Sequence, residues 1–197
     1  MNLSLNNCEV FVFLVNMYRK HLKPTIDFII SGHLLVLLLP ILMVLYLVGL
    51  FLFARKPIFL QTRTGLLGKH FTIIKFRTLQ HDRVTSYGNF LRKYSLDELP
   101  QLFNVVKGEM SLVGPRPLLP EYLEHYTPFE KQRLRVKPGI TGWAQVNGRN
   151  SLDWAQKFKY DIYYVDNLSF VFDLKILWFT FRQLLHGKHT KPVQKAF

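Results

Sequence analysis

Residues 28–54 read FIISGHLLVLLLPILMVLYLVGLFLFA, and this apolar run decides the fold. It contains no acidic and no permanently basic residue. At about 27 residues, it exceeds the roughly 20 that a helix needs to cross a bilayer. It is too long for a secretory signal, and no small-residue cleavage site follows it. The sequence therefore predicts a membrane anchor, over residues 17–56.

The anchor has basic residues on both sides, namely Arg19, Lys20 and Lys23 before it and Arg55, Lys56 and Arg63 after it. The positive-inside rule gives no orientation for such a segment and is satisfied best if both ends stay cytoplasmic. Pro40, near the middle, removes a backbone hydrogen bond and gives the helix a place to bend. We therefore expect a re-entrant membrane helix bent near Pro40. An ordinary kinked transmembrane helix is the alternative, because lipid tolerates proline in a spanning helix.

The composition points to an anionic partner. The 197 residues carry a formal net charge of +13 and are 49% hydrophobic. Either nucleic acid or an anionic lipid surface would suit that charge. The basic residues form no compact recognition helix, so beside an anchor we expect the lipid surface and no nucleic acid. The single cysteine, Cys8, excludes an internal disulfide and agrees with a reducing, cytoplasmic location.

Beyond the anchor, the pattern predicts a mainly α fold with a small β-hairpin. Short β-prone runs at 58–61 and 71–76 predict the two strands of the hairpin. Residues 118–135 have helical character with a break inside them, and residues 138–142 are rich in turn formers.

The last third of the chain interleaves aromatic residues with lysine and arginine. This pattern is typical of amphipathic helices that lie in the headgroup zone of a membrane. We expect four parts in all: an N-terminal extension (1–16), the anchor (17–56), a compact cytoplasmic catalytic domain with interfacial amphipathic helices (57–186) and a basic tail (187–197).

Residues 95–117, SLDELPQLFNVVKGEMSLVGPRP, carry the best clue to chemistry. Asp97 and Glu98 are neighbours, and at a helix start they would point about 100° apart, which favours two separate roles. The Gly-Pro-Arg-Pro turn restricts the backbone around Arg116, so its guanidinium can be aimed at an anion. The structural alternative is a capping box, with Ser95 as the helix cap and Glu98 reaching back to it. Pro100 would move that cap towards Asp97.

Four segments together closely resemble the bacterial sugar transferase family, the monotopic phosphoglycosyl transferases that act on polyprenyl phosphate. These segments are KFRT at 75–78, SLDELPQL at 95–102, VGPRP at 113–117 and KPGITGWAQVNGR at 137–149. Their unbroken order makes the likeness far more specific than any one motif. The resemblance begins at about Met17, so we expect Met17 to be the natural start.

The resemblance implies a reaction in which a UDP-sugar donates its sugar 1-phosphate to polyprenyl (undecaprenyl) phosphate, with release of UMP. It implies that Asp97 is the nucleophile and forms an aspartyl phosphosugar. It also implies Mg²⁺ as the cofactor, held by Asp97 and Glu98, with Glu98 alternatively managing a proton. The side chains implied to contact phosphate or nucleotide are Arg77, Arg92, Arg116, Arg149 and, at second rank, Asp161.

The implied location is the cytoplasmic face of the bacterial inner membrane, at the first membrane step of glycan biosynthesis. The motifs specify neither the sugar, the pathway nor the oligomeric state. A non-enzymatic membrane adaptor that binds anionic glycans or partners is the runner-up, and it predicts that Asp97→Asn leaves function intact.

Overall fold

The computed structural model describes residues 15–53, 56–148 and 151–185. Almost all of the predicted extension (1–16), all of the predicted basic tail (187–197) and Arg149 lie outside these residues.

One long helix dominates the amino-terminal part of the structure. A π-helical turn, Tyr18–Leu22, leads into α1, Lys23–Leu52. The apolar helical stretch Val15–Leu52 is long enough by length and composition to cross a membrane, and only 17% of its most apolar window is buried in the protein. Pro40 lies inside α1, and the helix continues through it. The predicted anchor is therefore a helix with its apolar surface largely uncovered, while the re-entrant path stays a prediction.

Both ends of α1 pack against the rest of the chain. Near its start, Lys23 and Asp27 are buried. Near its end, Leu42 and Leu45 belong to a hydrophobic cluster, and the Leu45 carbonyl accepts a hydrogen bond from the Tyr87 hydroxyl at 2.7 Å. The helix therefore lies along the domain and does not stand away from it.

The predicted hairpin is confirmed. Strands β1, Ile58–Thr64, and β2, His70–Phe76, pair antiparallel with Ile58 opposite Phe76, and a 3₁₀ turn, Leu66–Gly68, lies between them. A two-residue pair follows, β3 at Leu79–Gln80 and β4 at Arg83–Val84. Next come α2, Ser86–Tyr94, the 3₁₀ turn Leu96–Glu98 and α3, Gln101–Val106.

A second small sheet holds the centre of the domain. Strand β5, Ser111–Val113, pairs parallel with β6, Gly139–Thr141. We expected only turns around β6. Gly114 and Gly139 allow this pairing, because a Cβ on either would overlap backbone atoms of the other segment.

The predicted helical segment between these two strands is three short pieces. They are a 3₁₀ helix at Pro120–His125, α4 at Pro128–Lys131 and a 3₁₀ helix at Gln132–Arg135. The break expected inside this segment is the point where α4 begins, and Thr127 and Glu130 form a capping box there.

Three helices complete the described chain: α5, Trp143–Val146, α6, Trp154–Asp166, and α7, Phe170–Leu185. Helix α6 buries Phe158, Ile162 and Val165 in the core. Helix α7 leaves a stripe of large apolar side chains exposed at helical spacing, consisting of Val171, Leu174, Trp178, Phe181 and Leu185. Such a stripe is the surface that an interfacial helix would place in a membrane.

A buried polar network joins α1 to the carboxy-terminal helices. The Asp173 carboxylate accepts hydrogen bonds from Tyr18 at 2.6 Å, from the Lys23 ammonium at 2.6 Å and from Tyr164 at 2.7 Å. One turn along α1, the Asp27 carboxylate accepts a hydrogen bond from the Ser111 hydroxyl at 2.6 Å. These charges are buried and must be paired to be tolerated, so the network fixes how α1 sits on the domain.

We expect Asp173→Ala to lower the free energy of unfolding by about 3–5 kcal/mol, or at least about 6 °C in melting temperature. The substitution removes the acceptor shared by Lys23, Tyr18 and Tyr164. Thermal unfolding of the full chain in nanodiscs measures the effect. The matched control, Asp166→Ala at the exposed end of α6, should change the free energy of unfolding by no more than about 0.5 kcal/mol. Equal losses in the two variants would contradict a structural role for the network.

Candidate active site

The Asp97-Glu98 pair lies in a short turn and not at the start of a long helix. Ser95 has a φ of 56° and ends α2, and the chain then forms the 3₁₀ turn Leu96–Glu98. The side chain of Ser95 makes no capping bond to this turn. The predicted capping box is therefore wrong, because the left-handed residue reverses the chain and the Glu98 carboxylate has other partners.

The partners of Glu98 are two cations. Its Oε1 atom accepts hydrogen bonds from the Lys75 ammonium at 3.1 Å and from the Arg116 guanidinium at 2.9 Å. The side chain of Glu98 is only 15% exposed, whereas that of Arg116 is 47% exposed. Burial by itself would raise the pKa of Glu98, but Arg116 and Lys75 outweigh it and hold that pKa well below its usual range. Glu98 is therefore a permanently charged anchor for both cations.

Asp97 has a different environment. Within the described residues, its carboxylate takes part in none of the hydrogen bonds or ion pairs. Burial and the neighbouring charge of Glu98 raise its pKa, while the charges of Lys75, Arg116 and Arg92 act in the opposite direction. The carboxylate thus lies among positive charges without being tied to any of them. A carboxylate in this state can attack or bind an incoming group.

The structure brings two of the predicted arginines to this pair. Arg116 reaches Glu98 from the Gly-Pro-Arg-Pro turn. Arg92, on α2, donates from Nε to the Thr78 hydroxyl at 3.0 Å and is near enough to affect the charge state of Asp97. Arg77 is partly buried and donates to the carbonyl of Lys56, and in the described chain it pairs with neither carboxylate.

Asp161 lies in a buried ion pair and not beside Asp97. Its Oδ2 atom accepts hydrogen bonds from Arg133 Nε at 3.0 Å and from another guanidinium nitrogen of Arg133 at 2.7 Å. The same guanidinium donates to the carbonyl of Arg116 at 2.6 Å. Asp161 is only 4% exposed. It holds Arg133, and Arg133 in turn holds the turn that carries Arg116.

Sequence reasoning missed two cations, Lys75 and Arg63, as site residues. In the hairpin register, Lys75 lies opposite Phe59, and Arg63 follows Phe59 by four residues, so both side chains lie on one face. Burial and the nearby charge of Arg116 lower the pKa of Arg63 to about 10, which leaves it positively charged at neutral pH. Side chains alternate between the two faces of the hairpin strands, and this alternation could have predicted that both residues lie on the same face.

The site has more positive than negative charge. Four cations, Arg63, Lys75, Arg92 and Arg116, lie around the two carboxylates, and Glu121 also acts on Arg63, which leaves a formal excess of one positive charge among the described residues. An excess of this kind suits a ligand with two phosphates. In the described chain, no three His, Cys, Asp or Glu residues form a metal cluster. The carboxylate pair alone suits Mg²⁺, which proteins often hold with one or two carboxylates and substrate phosphates.

Residues 18–187 match the family model described as "Bacterial sugar transferase". This chain belongs to the bacterial sugar transferase family. The predicted family, and with it the predicted transferase class of enzyme, are confirmed.

Several curated relatives of this sugar transferase share much of its sequence. It is 53% identical over 143 residues to the "Uncharacterized sugar transferase EpsL" of Bacillus subtilis, covering 66% of this chain and 71% of that one. It is 40% identical to the "UDP-glucose:undecaprenyl-phosphate glucose-1-phosphate transferase" of Escherichia coli, covering 82% of this chain and 40% of that one. It is 36% identical to the "Undecaprenyl-phosphate galactose phosphotransferase" of Salmonella typhimurium, covering 87% and 42%. The chain thus spans less than half the length of the last two.

The opposite pKa shifts of the two neighbours predict opposite effects on the stability of this sugar transferase at pH 7.5. The folded pKa of Asp97 is raised, so its ionisation opposes folding, and Asp97→Asn should raise the melting temperature. The folded pKa of Glu98 is lowered, so its ionised form stabilises the fold above its usual pKa and this stability is lost as the pH falls.

Glu98→Gln should therefore lower the free energy of unfolding at pH 7.5, by about 1.5–3 kcal/mol, because two charge-assisted hydrogen bonds are weakened. Thermal unfolding of both variants beside the unsubstituted chain, in the same nanodiscs, is the measurement. A fall in melting temperature for Asp97→Asn as large as that for Glu98→Gln would show that both carboxylates are structural.

Proposed function

We propose that this sugar transferase moves a sugar 1-phosphate from a UDP-sugar to polyprenyl phosphate, with Asp97 as the nucleophile. The observation that carries the proposal is the Asp97 carboxylate, which has no hydrogen-bond partner among the described residues and lies in a site with excess positive charge. The names of two relatives, a glucose-1-phosphate transferase and a galactose phosphotransferase that act on undecaprenyl phosphate, support that acceptor.

Two displacements at one phosphorus account for the transfer. An oxygen of Asp97 bonds to the sugar-bearing phosphorus, and the bond from that phosphorus to UMP breaks, so UMP leaves with the electron pair. A phosphate oxygen of the acceptor then bonds to the same phosphorus, and the bond to Asp97 breaks. The products are polyprenyl-diphosphate-sugar and the original carboxylate. Splitting the transfer in this way means that the two large anions never have to react directly with each other.

The neighbouring residues position the phosphates and neutralise their charge. Glu98 holds Lys75 and Arg116 in place at 3.1 Å and 2.9 Å, so neither cation has to be ordered when the donor binds. Arg133 holds the carbonyl of Arg116, which fixes the turn from the other side. Mg²⁺ bound by Asp97 and Glu98 together with the donor phosphates would supply further charge neutralisation.

The packing of α1 supports a re-entrant anchor with both ends on the cytoplasmic side. Contacts with the same domain are made near the start of α1, by Lys23 and Asp27, and near its end, by Leu42 and Leu45. A helix crossing the bilayer would carry one of these ends to the opposite face, away from a domain on one side. The exposed stripe of α7 would lie in the same interface. This arrangement would bring the acceptor phosphate to the level of Asp97.

The test of the reaction is UMP release by the full chain in nanodiscs that contain polyprenyl phosphate and Mg²⁺. We expect Asp97→Asn to reduce release by at least about 10³-fold, because the substitution removes the proposed nucleophile while Glu98 stays bound to Lys75 and Arg116. With UDP-sugar alone, the unsubstituted chain should release about one UMP per protein and gain the mass of a sugar phosphate on the peptide that contains Asp97. Arg83→Gln, on the exposed strand β4, is the control and should retain full release. Full activity of Asp97→Asn would refute the mechanism and favour the adaptor role.

The path of the anchor can be tested by cysteine labelling in a Cys8→Ser background. Single cysteines at Asn16, Lys56 and the exposed domain residue Lys107 are treated with a membrane-impermeant reagent in intact cells and in inverted vesicles. We expect all three to react only in inverted vesicles, because a re-entrant helix keeps both ends on the cytoplasmic side with the domain. Reaction of the Asn16 cysteine from the side opposite to the Lys107 cysteine would establish a spanning helix.

A further inference from the structure

Arg63 has a positive charge that no ion pair of the described chain neutralises. It forms none of the ion pairs among the described residues. One guanidinium nitrogen donates to Gln61 Oε1 at 2.6 Å, and another lies 3.5 Å from the carbonyl of Pro117. Its Nε atom is buried and has no acceptor in the part of the chain that the structure describes. A partly buried guanidinium with unused donors is costly unless an anion completes its environment.

The neighbours of Arg63 show which part of the site it serves. Arg63 lies beside the turn that carries Arg116, since its guanidinium approaches the carbonyl of the next residue, Pro117, at 3.5 Å. Arg116 is its strongest charged neighbour, and the carboxylates of Glu121 and, more weakly, Glu98 act on it in the opposite direction. Asp97, by contrast, responds to Lys75, Arg116 and Arg92. A phosphate attacked by Asp97 would lie beside Lys75 and Arg92, and the next phosphate of the donor would lie beside Arg116 and Arg63.

A structural role explains only some of the contacts of Arg63. As a brace, the side chain would connect β1 to the Gly-Pro-Arg-Pro turn through Pro117. That contact is long, at 3.5 Å, and a neutral donor could make it. A brace also leaves two guanidinium groups, those of Arg63 and Arg116, as close like charges with a single carboxylate, Glu98, bound to one of them. An anion between the two guanidinium groups would remove that repulsion.

We propose that Arg63, together with Arg116, binds the donor phosphate that leaves with the nucleotide. The assignment rests on the proposed function, since it takes the donor to be a nucleoside diphosphate sugar. It makes Arg63 a binding residue for UMP as a leaving group and as a product. It also predicts that Arg63 contributes little to the binding of uridine, which has no phosphate, or of the acceptor.

The experiment is direct binding of UMP and of uridine to the full chain in nanodiscs, without turnover. Arg63→Gln should weaken UMP binding by about tenfold or more, the effect of losing a charge-assisted phosphate contact, and should leave uridine binding unchanged. Arg63→Lys keeps the charge without the planar fork and should recover part of the loss. The Michaelis constant for polyprenyl phosphate should stay the same in both variants. The control is Arg83→Gln, which should bind UMP as the unsubstituted chain does.

Each other outcome overturns a defined statement. Unchanged UMP binding in Arg63→Gln would refute the assignment. Equal weakening of UMP and uridine, together with a lower melting temperature, would show that Arg63 is a brace. A further outcome is that the unsubstituted chain binds UMP through Arg63 and yet never releases UMP from a UDP-sugar. That result would support the phosphate-binding role of Arg63 and refute the proposed reaction. If the unsubstituted chain binds no UMP, both proposals fail.

Discussion

The buried carboxylate of Asp173 is the interaction on which the arrangement of this protein depends. It accepts hydrogen bonds from Tyr18 and Lys23, at the start of the long apolar helix, and from Tyr164 on α6. Three donors on two separate segments can share one buried acceptor only in one relative placement. Since α1 also packs against α3, which directly follows the Asp97-Glu98 turn, the same network fixes where that turn lies relative to α1.

The two neighbouring carboxylates, Asp97 and Glu98, have different surroundings and therefore different properties. Glu98 is held by two cations, which favour its ionised form but occupy one of its carboxylate oxygens. Asp97 has the opposite balance, with burial opposing its charge and no hydrogen bond to its carboxylate from the residues that the structure describes. A nucleophile held in strong hydrogen bonds would have to break them before it could attack. The stability given up at Asp97 is therefore what the proposed role of nucleophile requires.

Local sequence patterns predicted the helices and strands, whereas contacts between residues distant in sequence form the candidate active site. The apolar run of α1 and the alternation of the hairpin could be read directly, as could the Arg116 turn. The parallel pairing of β5 with β6 could not, because two three-residue strands have no periodicity to detect. The ion pair of Asp161 could not be predicted for a related reason, since its partner Arg133 lies 28 residues away and only the folded chain shows the pair.

The turn that carries Asp97 and Glu98 connects the long apolar helix to the candidate site through a shared hydrophobic cluster. Leu96 and Leu99, which flank the two carboxylates, pack against the cluster of Leu42 and Leu45 on α1, Phe76 on β2 and Leu91 on α2. The two apolar side chains thus pack into the core, whereas Glu98 between them pairs with Lys75 and Arg116. Because three elements contribute to this cluster, α1, β2 and α2 together cover the apolar side of the turn.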